Sequence, residues 1–457
     1  MSSIYFYGAA GEVTGSSFLL TGETTRLLID LGMYQGTADV EVHNRDPLLF
    51  SPSKLTSVAL THAHLDHCGR LPLLTKNGYR GKFYMTDATA ALVELTLMDS
   101  AKIAAEDNED DPLYTLEDVE RVLYQIRTVA YDAPFEVGEF TLTMRDAGHI
   151  LGSASIEVAM DTPDGRKVVV FSGDLGNSPE DIVKPTEVIK QADAVVMEST
   201  YGDRLHPKEN ASDIIMREMN EIERTGGVLL IPAFSVDRTQ EILHKINHLK
   251  QEGKVQEDTP VFLDSPMAIR ATRIYEQYRN LYGKEMSAHA THGDPFDFPG
   301  LFVTERAAES RKISEHKGAK VIIAGNGMMM GGRILGHAKQ FLPLDTTRLL
   351  IVGYQGEETL GREILEGAKL VTIKGAQVPV NATIANASSM SAHADQNQLM
   401  AWLSNIRGLK AVFLVHGEDP SRHAIAEKIS RELGIGRIEI PHLNERKPLF
   451  PGEEISE

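Results

Sequence analysis

Hydrophobic residues in the first 200 positions come in short, β-rich runs, each followed by a loop rich in Gly, Asp or His. Several runs, such as RLLI, SVAL and KVVVF, are apolar throughout, which is typical of strands that are covered on both faces. An approximate helical period interrupts them at residues 87–107, where a helix is expected. This pattern predicts an α/β fold with a layered sheet core.

From about residue 207 to residue 375, predicted helices alternate with apolar strands such as GVLLIPAF and AKVIIAG. The helices are expected at residues 210–224, 236–252 and 305–317. Such alternation is the signature of a doubly wound, parallel sheet. Because strands of the first kind return afterwards, the simplest organisation is one domain, at 1–206 and 376–457, interrupted by a second domain at 207–375.

Composition narrows the class of protein. The 457 residues carry a net charge of −19, which argues against a broad polyanion-binding surface but leaves room for a local basic groove. No window approaches a membrane-spanning length of apolar residues, and no secretory pattern opens the chain. The single cysteine, Cys68, excludes an internal disulfide framework. These features predict a cytoplasmic protein without a membrane span.

Candidate chemistry concentrates at residues 61–70, THAHLDHCGR, which hold three histidines and an aspartate. Zinc binds imidazole nitrogen and carboxylate oxygen, and a hydrolytic site keeps one coordination position open for water. This crowding after an apolar strand favours a metal site over isolated structural histidines. The candidate ligands are His62, His64, Asp66 and His67.

Three more candidate ligands follow apolar strands as His62 does: His149 after FTLTM, Asp174 after KVVVF and His416 after AVFL. Ligand sites of α/β sheets lie at the carboxyl ends of strands, so these loops are expected to meet. Asp30 ends another strand and is expected to orient a ligand histidine through its second ring nitrogen. A helix or turn cap is the alternative for Asp30.

The spacing HxHxDH resembles the signature of the metallo-β-lactamase superfamily. Further segments resemble its β-CASP group, which includes the cleavage-and-polyadenylation endonuclease and prokaryotic ribonucleases: ESTYGDR, PAFSVDRTQE, GMMMGGRILGH, SSMSAHAD and VHGE. The resemblance extends over essentially the whole chain. It implies a four-layer αββα sandwich with an inserted doubly wound, parallel-sheet β-CASP domain, and an active site in the cleft between the two domains.

The resemblance also implies how the candidate ligands divide between two zinc ions. One ion would be held by His62, His64 and His149. The other would be held by Asp66, His67 and His416. Asp174 would bridge both ions.

The remaining motifs imply the reaction. Glu198, His393 and His416 match three motifs of the β-CASP group, and a histidine at the third is what its RNA-cleaving members carry. The implied function is a zinc-dependent ribonuclease in which a water activated by two zinc ions attacks an RNA phosphodiester. Asp66 is expected among the catalytic residues, and Glu198 and His393 are expected to assist the leaving group. The alternative for Glu198 is a capping carboxylate, and the alternative for His393 is a residue at a helix N-terminus.

Three arginines are candidates for binding substrate phosphates, since each follows a strand and a guanidinium can grip a phosphate with two parallel bonds. They are Arg238, Arg333 and Arg362. The glycines of GNGMMMGGR would let backbone N–H groups approach an anion, and a tight structural turn is the alternative. His337 suits either a helix surface or a phosphate contact.

Single-stranded RNA is the expected partner, and a homodimer would lengthen the RNA-binding surface. The chain departs from many prokaryotic relatives, which carry N-terminal RNA-binding KH domains, because its lactamase motifs begin within 30 residues of Met1. Two other functions stay open. A dizinc hydrolase of a small ester, thioester or lactam is disfavoured by the inserted domain, and a non-catalytic RNA-binding scaffold is disfavoured because every ligand position is filled.

Overall fold

The computed structural model describes residues 2–107, 111–177, 182–291 and 293–450. The chain forms two compact units. The first unit comprises Met1–Leu205 and His393–Glu457, and the second comprises His206–Ala392.

The strands of the described residues, in chain order, are β1 Ser3–Gly8, β2 Ser17–Thr21, β3 Arg26–Ile29, β4 Ser57–Ala59, β5 Lys82–Met85, β6 Ile126–Thr128, β7 Phe135–Val137, β8 Phe140–Asp146, β9 Ala154–Thr162, β10 Gly165–Phe171, β11 Ala194–Glu198, β12 Val228–Pro232, β13 Val261–Leu263, β14 Leu301–Val303, β15 Lys320–Ala324, β16 Thr347–Ile351, β17 Leu370–Ile373, β18 Ala376–Pro379, β19 Thr383–Asn386, β20 Ala411–Val415, β21 Arg437–Glu439 and β22 Arg446–Pro448.

The α-helices of the same residues are α1 Ala38–Glu41, α2 Leu65–Cys68, α3 Leu71–Lys76, α4 Asp87–Asp107, α5 Leu116–Gln125, α6 Ala211–Thr225, α7 Arg238–Gln251, α8 Pro266–Gln277, α9 Lys284–Ala290, α10 Ala307–Lys312, α11 Ile334–Phe341, α12 Leu360–Leu365, α13 Gln396–Ser404 and α14 Asp419–Leu433.

The described strands of the first unit form two seven-stranded sheets, ordered β22-β1-β2-β3-β4-β5-β6 and β21-β20-β11-β10-β9-β8-β7. Successive side chains of a strand point to opposite faces, and β10 shows the consequence. Val169 and Phe171 pack into the core between the sheets together with Phe6 and Phe18 of the first sheet. Val170 faces the other way and packs against Leu399 of α13 and other apolar residues.

Helices complete the layers. α13 and α14 place Leu403, Ile425 and Ile429 in the apolar cluster on the outer side of the second sheet. α4 and α5 contact β6 and β5 of the first sheet. The predicted helix at 87–107 is confirmed as α4. The four-layer αββα sandwich expected from the sequence is therefore confirmed.

The second unit is built on a six-stranded sheet of described strands, ordered β14-β13-β15-β12-β16-β19. Each of its neighbouring pairs is parallel, as the alternation of helices and strands predicts. α6 and α7 confirm the first two predicted helices. The third, expected at 305–317, is shorter: α10 buries none of its side chains and ends at Lys312, and a 3₁₀ turn follows.

The return of the chain to the first unit comes later than the sequence suggests. β19 pairs with β16 and extends the parallel sheet, so residues 376–392 belong to the second unit. The two units divide at residue 392, whereas the sequence places this division at residue 375. The sequence-based limits, 1–206, 207–375 and 376–457, stay a prediction of where the domains begin and end. None of the described helices is both long and apolar enough to cross a membrane.

Candidate metal centre

The candidate residues lie at the carboxyl ends of strands in the first unit: Asp30 after β3, His62 after β4, His149 after β8, Asp174 after β10, Glu198 at the end of β11 and His416 after β20. The strands β10, β11 and β20 run parallel, as do β3 and β4. Their carboxyl ends therefore lie at one edge of each sheet, which is where ligand sites of α/β folds form.

Tight turns of the backbone position two of these side chains, those of His149 and Asp174. Gly148 and Gly173 directly precede His149 and Asp174, and both adopt positive φ angles, of 63° and 56°. A Cβ at Gly148 would lie 2.5 Å from the backbone nitrogen of Thr186, so the position also needs the small residue sterically. Glycine adopts this left-handed backbone without penalty, and it lets both loops turn sharply.

The first group of ligands converges around His64. Its Nδ1 lies 3.1 Å from Nε2 of His62 and 3.2 Å from Nε2 of His149. The ring centroids of the three histidines are 4.9 to 5.1 Å apart. The structure therefore brings together the three histidines expected at one ion.

The second group converges around His416. Its Nε2 lies 3.1 Å from Nε2 of His67 and 3.4 Å from Oδ2 of Asp66. Asp66 and His67 both sit on the short helix α2, whereas His416 arrives from β20 with a φ of 48°. Positive φ is uncommon for a non-glycine residue, and such strain concentrates at functional sites.

Asp174 connects the two groups through its two carboxylate oxygens. Oδ2 lies 3.5 Å from Nε2 of His62 and 3.5 Å from Nε2 of His149. Oδ1 lies 3.2 Å from Nε2 of His67 and 3.6 Å from Nε2 of His416. One oxygen therefore faces each group, as a bridging ligand requires.

These spacings fit metal ions. Zinc holds nitrogen and oxygen ligands at about 2.0 to 2.2 Å, so tetrahedral ligand atoms lie about 3.3 Å from one another. Asp174 is buried, and neither of its oxygens accepts a hydrogen bond from the described residues. A buried carboxylate without donors is costly, and a cation at each oxygen removes that cost.

The histidines of the centre differ in the direction in which their surroundings shift the pKa. Burial lowers the pKa of His62 well below its usual value and that of His64 to about 4, so both are neutral near pH 7, the form that binds metal. Burial also lowers the pKa of His67, but Asp174 and Asp30 outweigh it and raise that pKa well above its usual value. The carboxylates therefore favour positive charge here, the charge that a metal ion brings.

Residues behind the ligands fix the orientation of their rings. Oδ2 of Asp30 lies 2.8 Å from Nδ1 of His67, which is the contact expected from the sequence. Two further contacts escaped sequence reasoning: Thr61 donates to Asp30, and the hydroxyl of Thr200 lies 3.1 Å from Nδ1 of His416. A single threonine carries no distinctive sequence signal, although both follow closely on strand ends.

Glu198 and His393 form a pair beside the two groups. Oε1 of Glu198 lies 3.2 Å from Nδ1 of His393 and accepts a hydrogen bond from the backbone of Leu175. Nε2 of His393 lies 3.9 Å from Oδ2 of Asp174. Burial lowers the pKa of His393, but Glu198 and Asp174 outweigh it and raise the pKa to about 9. His393 precedes helix α13, which Asp395 caps.

The three arginines expected to bind phosphate lie in the second unit and already pair with carboxylates. Arg238 pairs with Glu241, and Arg362 pairs with Glu366 at 2.5 Å. Arg333 binds Asp264 at 2.6 Å. Each of the three guanidinium groups therefore has a carboxylate partner within the second unit. Binding of substrate phosphates by these arginines stays a prediction.

Asp264 organises that part of the second unit. Its buried carboxylate accepts hydrogen bonds from Arg333 and three other side chains, at 2.5 to 2.7 Å: Thr304, Ser310 and His337. His337 is therefore neither helix surface nor free for a phosphate in this arrangement. Burial alone would raise the pKa of Asp264, but these hydrogen bonds, that of His337 first, lower it to about 2.

Replacing Asp264 by asparagine is expected to destabilise the second unit by about 1 to 2 kcal/mol at pH 7. Because the pKa of Asp264 is lower in the folded protein, its carboxylate stabilises the fold at pH values above its ordinary pKa of 3.8. This stabilisation is lost as the pH falls through about 2. The difference between wild type and variant should therefore shrink between pH 4 and pH 2. Urea unfolding followed by circular dichroism measures it, with the exposed Asp345→Asn as control. An unchanged difference at low pH would contradict this interpretation.

Comparisons with known proteins agree with this fold and centre. Family models match the chain at residues 10–211, described as the metallo-beta-lactamase superfamily, at 239–364, described as the Beta-Casp domain, and at 377–441, described as a Zn-dependent metallo-hydrolase RNA specificity domain. Fold and site thus define a metal-binding protein of the metallo-hydrolase class. This chain belongs to the β-CASP group of the metallo-β-lactamase superfamily.

The similarity to known proteins extends over nearly the whole chain. A ribonuclease of Thermus thermophilus is 40% identical over 440 residues, covering 94% of this chain and 97% of the relative. The transcription termination factor FttA of Methanocaldococcus jannaschii is 31% identical, covering 94% and 69%. A solved structure of a protein of unknown function from Enterococcus faecalis shares the fold, with a TM-score of 0.56 at 12% identity, covering 98% of this chain and 99% of the other.

Proposed function

We propose that this protein is a metal-dependent ribonuclease that hydrolyses RNA phosphodiester bonds. The observation that carries the proposal is Asp174, whose two oxygens face two separate groups of ligands while the Glu198–His393 pair lies beside it. A 40% identical relative that is named a ribonuclease supports RNA as the substrate.

Two zinc ions are the proposed cofactors. His62, His64 and His149 would hold one, Asp66, His67 and His416 would hold the other, and Asp174 would contact both. Bound zinc would supply an activated water and neutralise charge on the phosphate. The donor set supports zinc because imidazole and carboxylate ligands suit it, whereas magnesium prefers oxygen ligands and water.

The chain itself would position the water and move the protons. The side chain of Asp66 is 19% exposed, whereas that of Asp174 is 1% exposed, so Asp66 is the ligand carboxylate that an entering water can reach. The carboxylate oxygen of Asp66 that does not face the ligand group is the proposed acceptor for a proton of that water. Asp30 would keep the His67 ring in place, and Thr200 would do the same for His416.

His393 would donate a proton to the leaving oxygen. Its side chain is 18% exposed while that of its partner Glu198 is 1% exposed, so the ring is accessible on one side and held on the other. Glu198 contacts Nδ1, which leaves Nε2 directed towards the centre. A carboxylate behind an imidazole stabilises the protonated ring, as a general acid requires.

Single-stranded RNA is the proposed form of the substrate. The ligand side chains are largely buried, and a flexible strand reaches such a centre more easily than a rigid duplex. A homodimer and a cytoplasmic location stay predictions from the sequence.

RNA cleavage before and after metal removal tests the proposal. Purified protein is expected to cut labelled single-stranded RNA, to lose that activity with a chelator, and to regain it with Zn²⁺. The variant Asp66→Ala/His67→Ala should stay inactive after zinc is restored. The matched control His43→Ala/Asp46→Ala removes an exposed histidine–aspartate pair and should keep activity.

Other outcomes would favour the two alternatives. RNA binding without cleavage, in wild type as in variant, would indicate a non-catalytic scaffold. Hydrolysis of a small ester or thioester with no action on RNA would indicate a small-molecule hydrolase. Cleavage that survives the chelator would exclude the metal mechanism.

A further inference from the structure

A second cluster of histidines lies in the second unit. His244 and His248 occupy positions four residues apart on α7, so both side chains lie on one face of that helix. His289 lies in the last turn of α9. One ring nitrogen of each histidine can be chosen so that all three lie within 4.8 Å of one another.

The rings of this cluster lie as close together as those of the first ligand group, or closer. The ring centroids of His244, His248 and His289 are 4.6, 4.9 and 4.2 Å apart. Those of the three histidines around His64 are 4.9 to 5.1 Å apart. The Nδ1 atoms of His244 and His289 are separated by 3.1 Å, close to the ligand–ligand distance of about 3.3 Å around a tetrahedral zinc ion.

The surroundings also suit a bound ion. His244 and His289 are 1% and 8% exposed, so water does not compete freely at their rings. Nε2 of His248 is buried and has no hydrogen-bond partner among the described residues. Gln251 lies 3.2 Å from Nε2 of His289, the outer contact that usually fixes a ligand ring.

We propose that His244, His248 and His289 form a separate metal site that takes one divalent transition-metal ion such as Zn²⁺. Three imidazole nitrogens suit zinc or cobalt and disfavour Mg²⁺ and Ca²⁺, which prefer oxygen. The ion would tie α7 to α9. The ion has no part in the proposed RNA hydrolysis, so the proposal of this site does not depend on the proposed function.

A hydrogen bond between His289 and His244 is the competing explanation. In that case Nδ1–H of one ring donates to Nδ1 of the other and no ion is needed. The two explanations differ in metal content, because only the metal site loses an ion when one of its histidines is replaced.

Metal analysis of the full chain, reloaded with Zn²⁺ and dialysed, tests the proposal. His248→Ala and His289→Asn should each hold one zinc fewer per chain than wild type and keep RNA cleavage. Asparagine at position 289 retains a hydrogen-bonding group, so the loss would reflect metal binding. The exposed His423→Ala is the control and should keep the wild-type content. Equal zinc content in wild type and both variants would overturn the site.

A second measurement removes the dependence on folding of those variants. In the chain carrying His62→Ala, His64→Ala, Asp66→Ala, His67→Ala and Asp174→Ala, both proposed ligand groups of the first unit are broken and the histidine cluster of the second unit is intact. This protein should still retain one Zn²⁺ per chain, and Zn²⁺ but not Mg²⁺ should raise its melting temperature. A protein that retains no zinc and gains no thermal stability would exclude the site, whether or not the wild type cleaves RNA.

Discussion

Replacing Asp174 by asparagine is expected to reduce RNA cleavage about a thousandfold or more. The change keeps the size of the side chain but removes the negative charge that both ligand groups share. Zinc content should fall as well, because the four imidazole nitrogens near its oxygens would lose the carboxylate that is proposed to contact both ions. Steady-state cleavage of labelled RNA and metal analysis of the same preparation measure both effects.

Asp161→Asn is the matched control, since Asp161 is exposed on β9 of the same unit. It should leave cleavage and zinc content unchanged. Full activity and full zinc content in Asp174→Asn would contradict the bridging role. Lost activity with full zinc content would place Asp174 in the chemistry but not in metal retention.

Replacing His393 by alanine is expected to slow RNA cleavage by about a hundredfold to ten-thousandfold, the contribution of a general acid. The loss should be much smaller on bis(p-nitrophenyl) phosphate, because its leaving group departs as a stable anion and needs no proton. Zinc content should stay at the wild-type level, since His393 is outside the proposed ligand set. Parallel kinetics on RNA and on the activated ester measure this difference.

Glu198→Gln tests the partner of His393. The amide keeps a polar group near Nδ1 of the ring but removes the charge, so the same pattern of losses should appear in a weaker form. An equal loss on both substrates in His393→Ala would contradict proton donation and would indicate that the residue positions the substrate or the centre.

Much of the centre was predictable because each ligand follows an apolar strand. The rule that sites form at the carboxyl ends of strands selects His149, Asp174 and His416 even though they are far apart in the chain. In the structure, oxygens of Asp174 lie within 3.6 Å of ring nitrogens of His62, His149 and His416. Spacing alone already separated the pair His62 and His64 from the pair Asp66 and His67. The resemblance to the superfamily added His149 to the first pair, His416 to the second pair, and Asp174 between them.

Other features depended on partners that a sequence does not display. Asp264 receives Arg333 and His337 from 69 and 73 residues away, so no local pattern shows that these side chains are occupied. The pairs of Arg238 with Glu241 and of Arg362 with Glu366, in contrast, could have been predicted from the sequence. A glutamate three or four positions later on a helix lies on the same face as the arginine.

The boundary of the second unit shows a similar limit. Residues 383–386, TIAN, carry no pattern that assigns the strand to the first or the second unit, and only its pairing with β16 decides between them. The histidines of the second unit were equally hard to group. The two on α7 show a helical spacing, but His289 joins them across 45 residues from His244.

The origin of the oxygen added to the cleaved phosphate tests the central claim most directly. Zinc-reloaded protein would cleave single-stranded RNA in water enriched in ¹⁸O, and mass spectrometry of the products would follow the label. Hydrolysis by water at this centre predicts one ¹⁸O atom in each newly formed terminal phosphate, and no cleavage when the chelator is present. Unlabelled cyclic phosphate ends, or labelled products formed equally well without metal, would contradict it.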